Sequence, residues 1–148
     1  MDMKLEVVVV PVSDVDRAKR FYEQLGFRLD IDFPNGPDFR VVQFTPPGSE
    51  ASIWVGKGLT PVTPGALQGT LLVVFDVVTA RADLVRRGVT VSEVFHRPGP
   101  GAAPLPGPDP ERRSYASFIT FKDPDGNGWV VQELRERLPG RGSPPPAA

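Results

Sequence analysis

The amino-acid sequence predicts an α+β fold made of two β-α-β-β-β modules. Three observations carry this expectation. Two segments of helical periodicity, each opened by an aspartate and closed by a glycine, stand 62 residues apart: Asp14 matches Asp76, Ala18 matches Ala80 and Gly26 matches Gly88. Each is preceded by one apolar strand-like run and followed by three more. Two late turns also correspond, Pro46-Pro47-Gly48 and Pro124-Asp125-Gly126, now 78 apart. The difference of 16 is a Pro/Gly-rich insertion between about Arg97 and Arg113.

The elements follow in order. Leu5 to Val12 is a β-branched run bounded by turn residues, which predicts a buried strand. Asp14 suits a helix N-cap. Behind it Val15, Ala18, Phe21, Tyr22 and Leu25 share one helical face, with Arg17, Lys19, Arg20 and Glu23 opposite. Gly26 suits the left-handed position after the helix. Phe27 to Asp32, Phe39 to Thr45 and Ala51 to Val55 complete the first module, separated by Asn35-Gly36-Pro37 and Pro46-Pro47-Gly48. The second module reads Thr70 to Phe75 as a strand and Asp76 as a cap. Its helix turns Val77, Ala80, Leu84 and Val85 inward and closes at Gly88. Strands at Val89 to Phe95, Tyr115 to Phe121 and Trp129 to Leu134 follow.

Composition narrows the function classes. The chain has 148 residues, no cysteine and one histidine, His96. Disulfides, thiolate metal sites and sites needing two imidazoles are excluded. A formal charge of -1 supplies no basic field for nucleic acid or anionic lipid. No apolar run approaches a membrane span, and no secretory h-region precedes the first strand. A soluble, reducing, cytoplasmic setting is expected. Of the 18 prolines, six fall between Pro98 and Pro110 and three at Pro144-Pro145-Pro146, and the rest mark turns between apolar runs, so the body is globular. The expected layout is one domain over 4–137, with module one at 4–58, module two at 68–137, the insertion loop at 97–113 and a disordered tail at 138–148. The loop reads as either a lid or a disordered excursion.

Four segments carry a family resemblance: Val12-Ser13-Asp14-Val15-Asp16-Arg17-Ala18; Phe21-Tyr22 with Leu25-Gly26-Phe27; Ala80-Arg81-Ala82-Asp83-Leu84 with Gly88-Val89; and Asp123-Pro124-Asp125-Gly126-Asn127 with Trp129. In this order and spacing the chain resembles the vicinal oxygen chelate superfamily, the glyoxalase, bleomycin-resistance and extradiol-dioxygenase group. The resemblance implies two modules that pair into a curled mixed sheet around a cavity, and a dimer. In metal-using relatives it implies cation ligands on the first and fourth strand of each module. Those positions fall here on Val7, Ser52, Gly69 and Val130. Two valines, a glycine and a neutral hydroxyl cannot offset the dehydration of a divalent ion. No metal or other cofactor is therefore expected.

Alternation from these positions turns Val7, Val9, Ser52 and Trp54 inward from module one, and Leu71, Val73, Val130 and Gln132 from module two, with Gly69 widening the space. Such a surface suits an apolar or aromatic molecule stacked on Trp54 and oriented by Ser52 and Gln132. The first expectation is metal-independent binding of a small organic molecule, in a resistance, sequestration or pathway role. The second is a metal-free lyase, isomerase or cyclase acting on a natural-product or catabolic intermediate, with His96, or Tyr115 with Arg40, as its catalytic candidates and Asp38 and Glu133 as further acid–base groups. The third is a metalloenzyme with relocated ligands, His96 and Glu133. Asp123-Pro124-Asp125-Gly126 lacks the glycine and glutamate positions of a calcium loop and reads as a hairpin turn. A small organic molecule and a second copy of the chain are the expected partners, with no nucleic acid or membrane.

Overall fold

The computed structural model describes residues 1–147. The chain forms two compact units. Unit one is residues 1–68 together with 123–127, and unit two is 69–122 together with 128 onward.

Unit one runs β1 (Val7–Val9), α1 (Val15–Gln24), β2 (Arg28–Pro34), β3 (Arg40–Thr45) and β4 (Ser52–Lys57). Its sheet has the order β1-β4-β3-β2, with β1 parallel to β4 and the other pairs antiparallel. The Asp14 carboxylate accepts the Arg17 N–H and opens α1. Gly26, at φ 87°, lets the Phe27 N–H turn back to the Tyr22 carbonyl and closes it. Ala18 and Tyr22 are fully buried on the side of the sheet that carries Val42, Phe44, Ile53 and Val55. Tyr22 is the centre of this core, with Phe27 stacked at 5.8 Å and Phe44 at 6.0 Å. Its hydroxyl donates to Asp123 at 2.9 Å. Asp123 and Asn127 hold each other, and Asn127 also donates to the Pro11 carbonyl at 2.8 Å, which ties the 123–127 turn into unit one.

Unit two runs β5 (Thr70–Val74), α2 (Val77–Arg86), β6 (Phe95–His96), β7 (Leu105–Pro106), β8 (Ser117–Lys122) and β9 (Gly128–Glu133). The sheet order is β5-β9-β8-β6-β7, with β5 parallel to β9. Asp76 caps α2 through the Val78 and Thr79 N–H groups, and Gly88 closes it at φ 83°. Val77, Ile119, Phe121, Trp129 and Val131 form the core on the α2 side.

Four expectations change. Val85 is 49% exposed, not inward. At 100° per residue it lies about 80° from Val77, beside exposed Val78 and off the stripe of Val77, Ala80 and Leu84. The strand expected at Val89 to Phe95 is reduced to Phe95–His96 and one bridge at Val91. There the Thr120 N–H donates to the Ser92 hydroxyl, so a side chain replaces a ladder carbonyl. The insertion contributes a strand of its own, β7, paired to β6. Of the tail, 138–147 form no helix or strand, but the Leu138 N–H donates to the Tyr115 hydroxyl; residue 148 lies outside the described residues.

The fourth change is in register. β1 and β4 pair Val7 with Ser52 and Val9 with Trp54, whereas β5 and β9 pair Leu71 with Val130 and Val73 with Gln132. Val9 and Leu71 each stand five residues before a capping aspartate. The counterpart of Val130 is therefore Trp54, 76 residues away, and not Ser52 at 78. The two turns differ in length on either side of their glycines, so matching the glycines misplaces the strand by two. A slip of two leaves every side chain on its face.

Candidate functional site

Each sheet has one face packed on its helix and one turned away from it. In unit one the second face carries Val7, Val9, Ser52, Trp54, Gln43 and Thr45. A β-bulge between Leu29 and Ile31 adds Asp30 to it. These polar groups are joined in one chain. The Trp54 Nε1–H donates to Gln43 Oε1 at 2.8 Å, and Gln43 Nε2 donates to Asp30 Oδ2 at 3.0 Å. The Thr45 hydroxyl donates to the same carboxylate at 2.5 Å and lies 2.6 Å from the Ser52 hydroxyl. Arg28 Nε donates to the other carboxylate oxygen at 2.7 Å. These bonds, that of Thr45 foremost, hold the Asp30 carboxyl down at about 2, against its ordinary 3.8. Ile31 and Phe33 on the edge strand are 47% and 55% exposed.

In unit two the corresponding face carries Leu71, Val73, Val130, Gln132, Phe118 and Phe95. Phe95 and Phe118 stack at 5.5 Å, and the Arg97 guanidinium stands 5.9 Å over Phe95. A hollow of about 530 Å³ opens over Phe118, Gln132 and Tyr115, walled by Arg97, Pro98 and Gly101 from the start of the insertion. This is a size that holds a drug-like molecule. Gln132 Nε2 donates to the Tyr115 carbonyl at 3.0 Å, leaving its own Oε1 as an acceptor at the hollow. Tyr115 adopts φ 71°, a strained conformation for a side-chain-bearing residue that costs about 1–2 kcal/mol. Its N–H to Glu133 O and the Leu138 N–H to its hydroxyl hold it there.

Each catalytic candidate is engaged within its own unit, and in unit two His96 and Tyr115 stand on opposite sides of the sheet. Arg40 belongs to unit one and points to the α1 side, where it clamps Asp32 through two bonds of 2.9 and 2.8 Å and Asp16 through one of 2.7 Å. The Arg40 bonds, helped by Lys19, push the Asp32 carboxyl far below the usual range. His96 belongs to unit two, is 8% exposed, and its Nδ1 lies 2.8 Å from the Gly107 carbonyl. It shares a sheet row with Ser117 and Glu133 on the α2 side, the opposite face from Gln132. Glu133 is fully buried, caps the Val77 N–H and is forked by Arg112 at 3.0 and 2.5 Å.

The metal positions implied by the resemblance hold no ligand set. Val7, Val130 and Trp54 offer no lone pair suited to a divalent ion, and Ser52 offers a single neutral hydroxyl, too weak a donor to hold one alone. Gly69, at φ 79° with open space where a Cβ would stand, is explained by its backbone conformation. Among the described residues no three His, Asp or Glu side chains form a group that could hold a metal ion. The residues present do not fit the group.

Phe118, Phe95, Gln43, Thr45 and Asp30 escaped the sequence reading. Phe118 carries a signal in the sequence, since alternation over Tyr115 to Phe121 turns it to the face opposite Ile119 and Phe121. No helix among the described residues is long and apolar enough to cross a membrane.

Comparison with known proteins agrees with the geometry. The antibiotic-binding protein TnmS3 from Streptomyces sp. CB03234 is 32% identical, with a TM-score of 0.68, over 90% of this chain and 97% of that one. A glyoxalase/bleomycin resistance protein from the same Streptomyces is 33% identical with a TM-score of 0.66, over 88% of this chain and all of its own. Protein YetH of Bacillus subtilis (strain 168) is 24% identical over 134 residues, 90% of this chain and all of that protein. The family model of the Glyoxalase/Bleomycin resistance protein/Dioxygenase superfamily matches residues 4–131. With two α+β units, each opening on a strand followed by a helix, and a family-model match over residues 4–131, the chain belongs to that superfamily.

Proposed function

We propose that this protein binds a small, largely apolar or aromatic organic molecule without a metal ion, in a resistance, sequestration or pathway role. Family membership and an antibiotic-binding relative at 32% identity support small-molecule binding or resistance at a general level. The observation that carries the finer reading is the hollow over Phe118 and Gln132. It sets an apolar aromatic floor beside one free amide oxygen and one guanidinium, Arg97. This is the composition of a pocket that recognises an organic molecule by stacking and orients it with few polar contacts. On unit one, Trp54 offers a second aromatic surface, held at a fixed angle by Gln43. The chelate positions supply no anchor for a cation, so the reading needs none.

The test uses 8-anilinonaphthalene-1-sulfonate, an aromatic anion, with the full chain in excess EDTA. Saturable binding with one probe per unit-two hollow is expected, weakened at least about tenfold by Phe118→Ala, the equivalent of one lost aromatic contact. Binding that is unchanged by Phe118→Ala, or that appears only on adding a divalent cation, contradicts the reading.

A further inference from the structure

The hydrogen-bond chain on unit one has a fixed direction, and that direction selects ligands. Trp54 Nε1–H is a donor only, so the facing Gln43 atom must be Oε1, 2.8 Å away. The Gln43 amide nitrogen then faces Asp30 Oδ2 at 3.0 Å; the flipped amide would set donor against donor at one end and acceptor against acceptor at the other. Asp30 accepts on both oxygens, from Arg28 at 2.7 Å and from Thr45 at 2.5 Å. Thr45 has one hydroxyl hydrogen, and the carboxylate takes it. The 2.6 Å bond between Thr45 and Ser52 must therefore run from Ser52 to Thr45. Ser52 has then also given away its only hydrogen. Its oxygen keeps lone pairs and nothing to donate. The Trp54 N–H is likewise consumed, so the indole offers its π face alone.

We propose that Asp30 fixes the polarity of this face so that it accepts an aromatic ligand bearing a hydroxyl donor: the ring on Trp54 and the hydroxyl hydrogen on Ser52 Oγ. Asp30 is a positioning residue that acts through Thr45. The proposal rests on the binding reading above and specifies its ligand class. Asp30 is placed on this face by the β2 bulge, so one extra residue in an edge strand decides the selectivity.

The probes are 2-naphthol and 2-methoxynaphthalene, which share a ring system and differ in the hydroxyl hydrogen. Affinities are read by calorimetry on the full chain, with quenching of Trp54 emission reporting the site. For the unaltered chain 2-naphthol is expected to bind about tenfold more tightly, the equivalent of one good hydrogen bond. Ser52→Ala brings the ratio near one and leaves the ether's affinity in place. Asp30→Leu also shrinks the ratio, because Thr45 then has no carboxylate to take its hydrogen, can donate to Ser52 instead, and leaves the Ser52 hydrogen free. Equal affinities in the unaltered chain, or a preference that survives Ser52→Ala, overturn this proposal while leaving aromatic binding intact. If neither probe quenches Trp54, aromatic binding at unit one fails together with it.

Discussion

The two units share a scaffold and differ in what they present. Both are opened by an aspartate cap, closed by a left-handed glycine, and cored on the helix side by apolar residues from alternate sheet positions. On the other face they part. Unit one joins Trp54, Gln43, Asp30, Thr45 and Ser52 into one hydrogen-bonded chain under an indole. Unit two leaves Phe118 and Gln132 at the floor of a hollow and puts its charge cluster, Glu133 with Arg112 and Asp76, on the helix side. The parts that make each unit fold therefore recur, and the face turned away from the helix differs.

The difference can be broken most strongly at the two arginine clamps. Glu133 is fully buried, whereas Asp32 keeps 22% of its side chain exposed. Arg112→Met leaves a buried carboxylate short of its partner and is expected to cost roughly 3 kcal/mol of unfolding free energy. Arg40→Met is expected to cost about 1 kcal/mol, because its partners are reached by water. Denaturant titration of both variants checks the order, and equal losses would contradict it.

The helix caps give a smaller contrast. Asp76 accepts from two backbone N–H groups and pairs with Arg112, while Asp14 accepts from one. Asp76→Ala is expected to destabilise by about 2 kcal/mol and Asp14→Ala by about 1. Thermal melts that reverse the order would show that the caps are not the unequal element.

Acid gives the finest contrast. The folded Asp30 carboxyl titrates at about 2 against an ordinary 3.8, chiefly through Thr45, so its contribution is fully present above about pH 4 and is lost as pH falls through 2. Stability of the unaltered chain should fall over that window more than that of Asp30→Asn. Trp54 emission should shift over the same window, since Gln43 loses its anchor. Parallel pH profiles for the two proteins would remove Asp30 from this role.

Much of the scaffold was legible, because caps, closing glycines and apolar spacing are local signals. Asp14, Gly26, Asp76 and Gly88 each stand where a helix must start or stop. The face of the sheets was legible too, since Val7, Ser52, Trp54, Val130 and Gln132 follow from alternation and survive a two-residue slip. Register was not, because it depends on turn geometry on either side of Gly48 and Gly126. The bulge at Asp30 and the Ser92 side chain that interrupts the ladder leave no periodic trace. The surroundings of His96 and Arg40 were also beyond reach: a sequence shows an imidazole near a loop, and only packing shows its nitrogen at the Gly107 carbonyl.

Binding of an aromatic molecule in the absence of any cation is the claim on which the rest depends. Calorimetric titration of the chelator-stripped chain with 2-naphthol, repeated after adding Mg²⁺, Mn²⁺ and Zn²⁺ in turn, tests it directly. The expected result is saturable binding with the same dissociation constant in every case. Absence of heat in the stripped protein that returns with any one of these ions would contradict it.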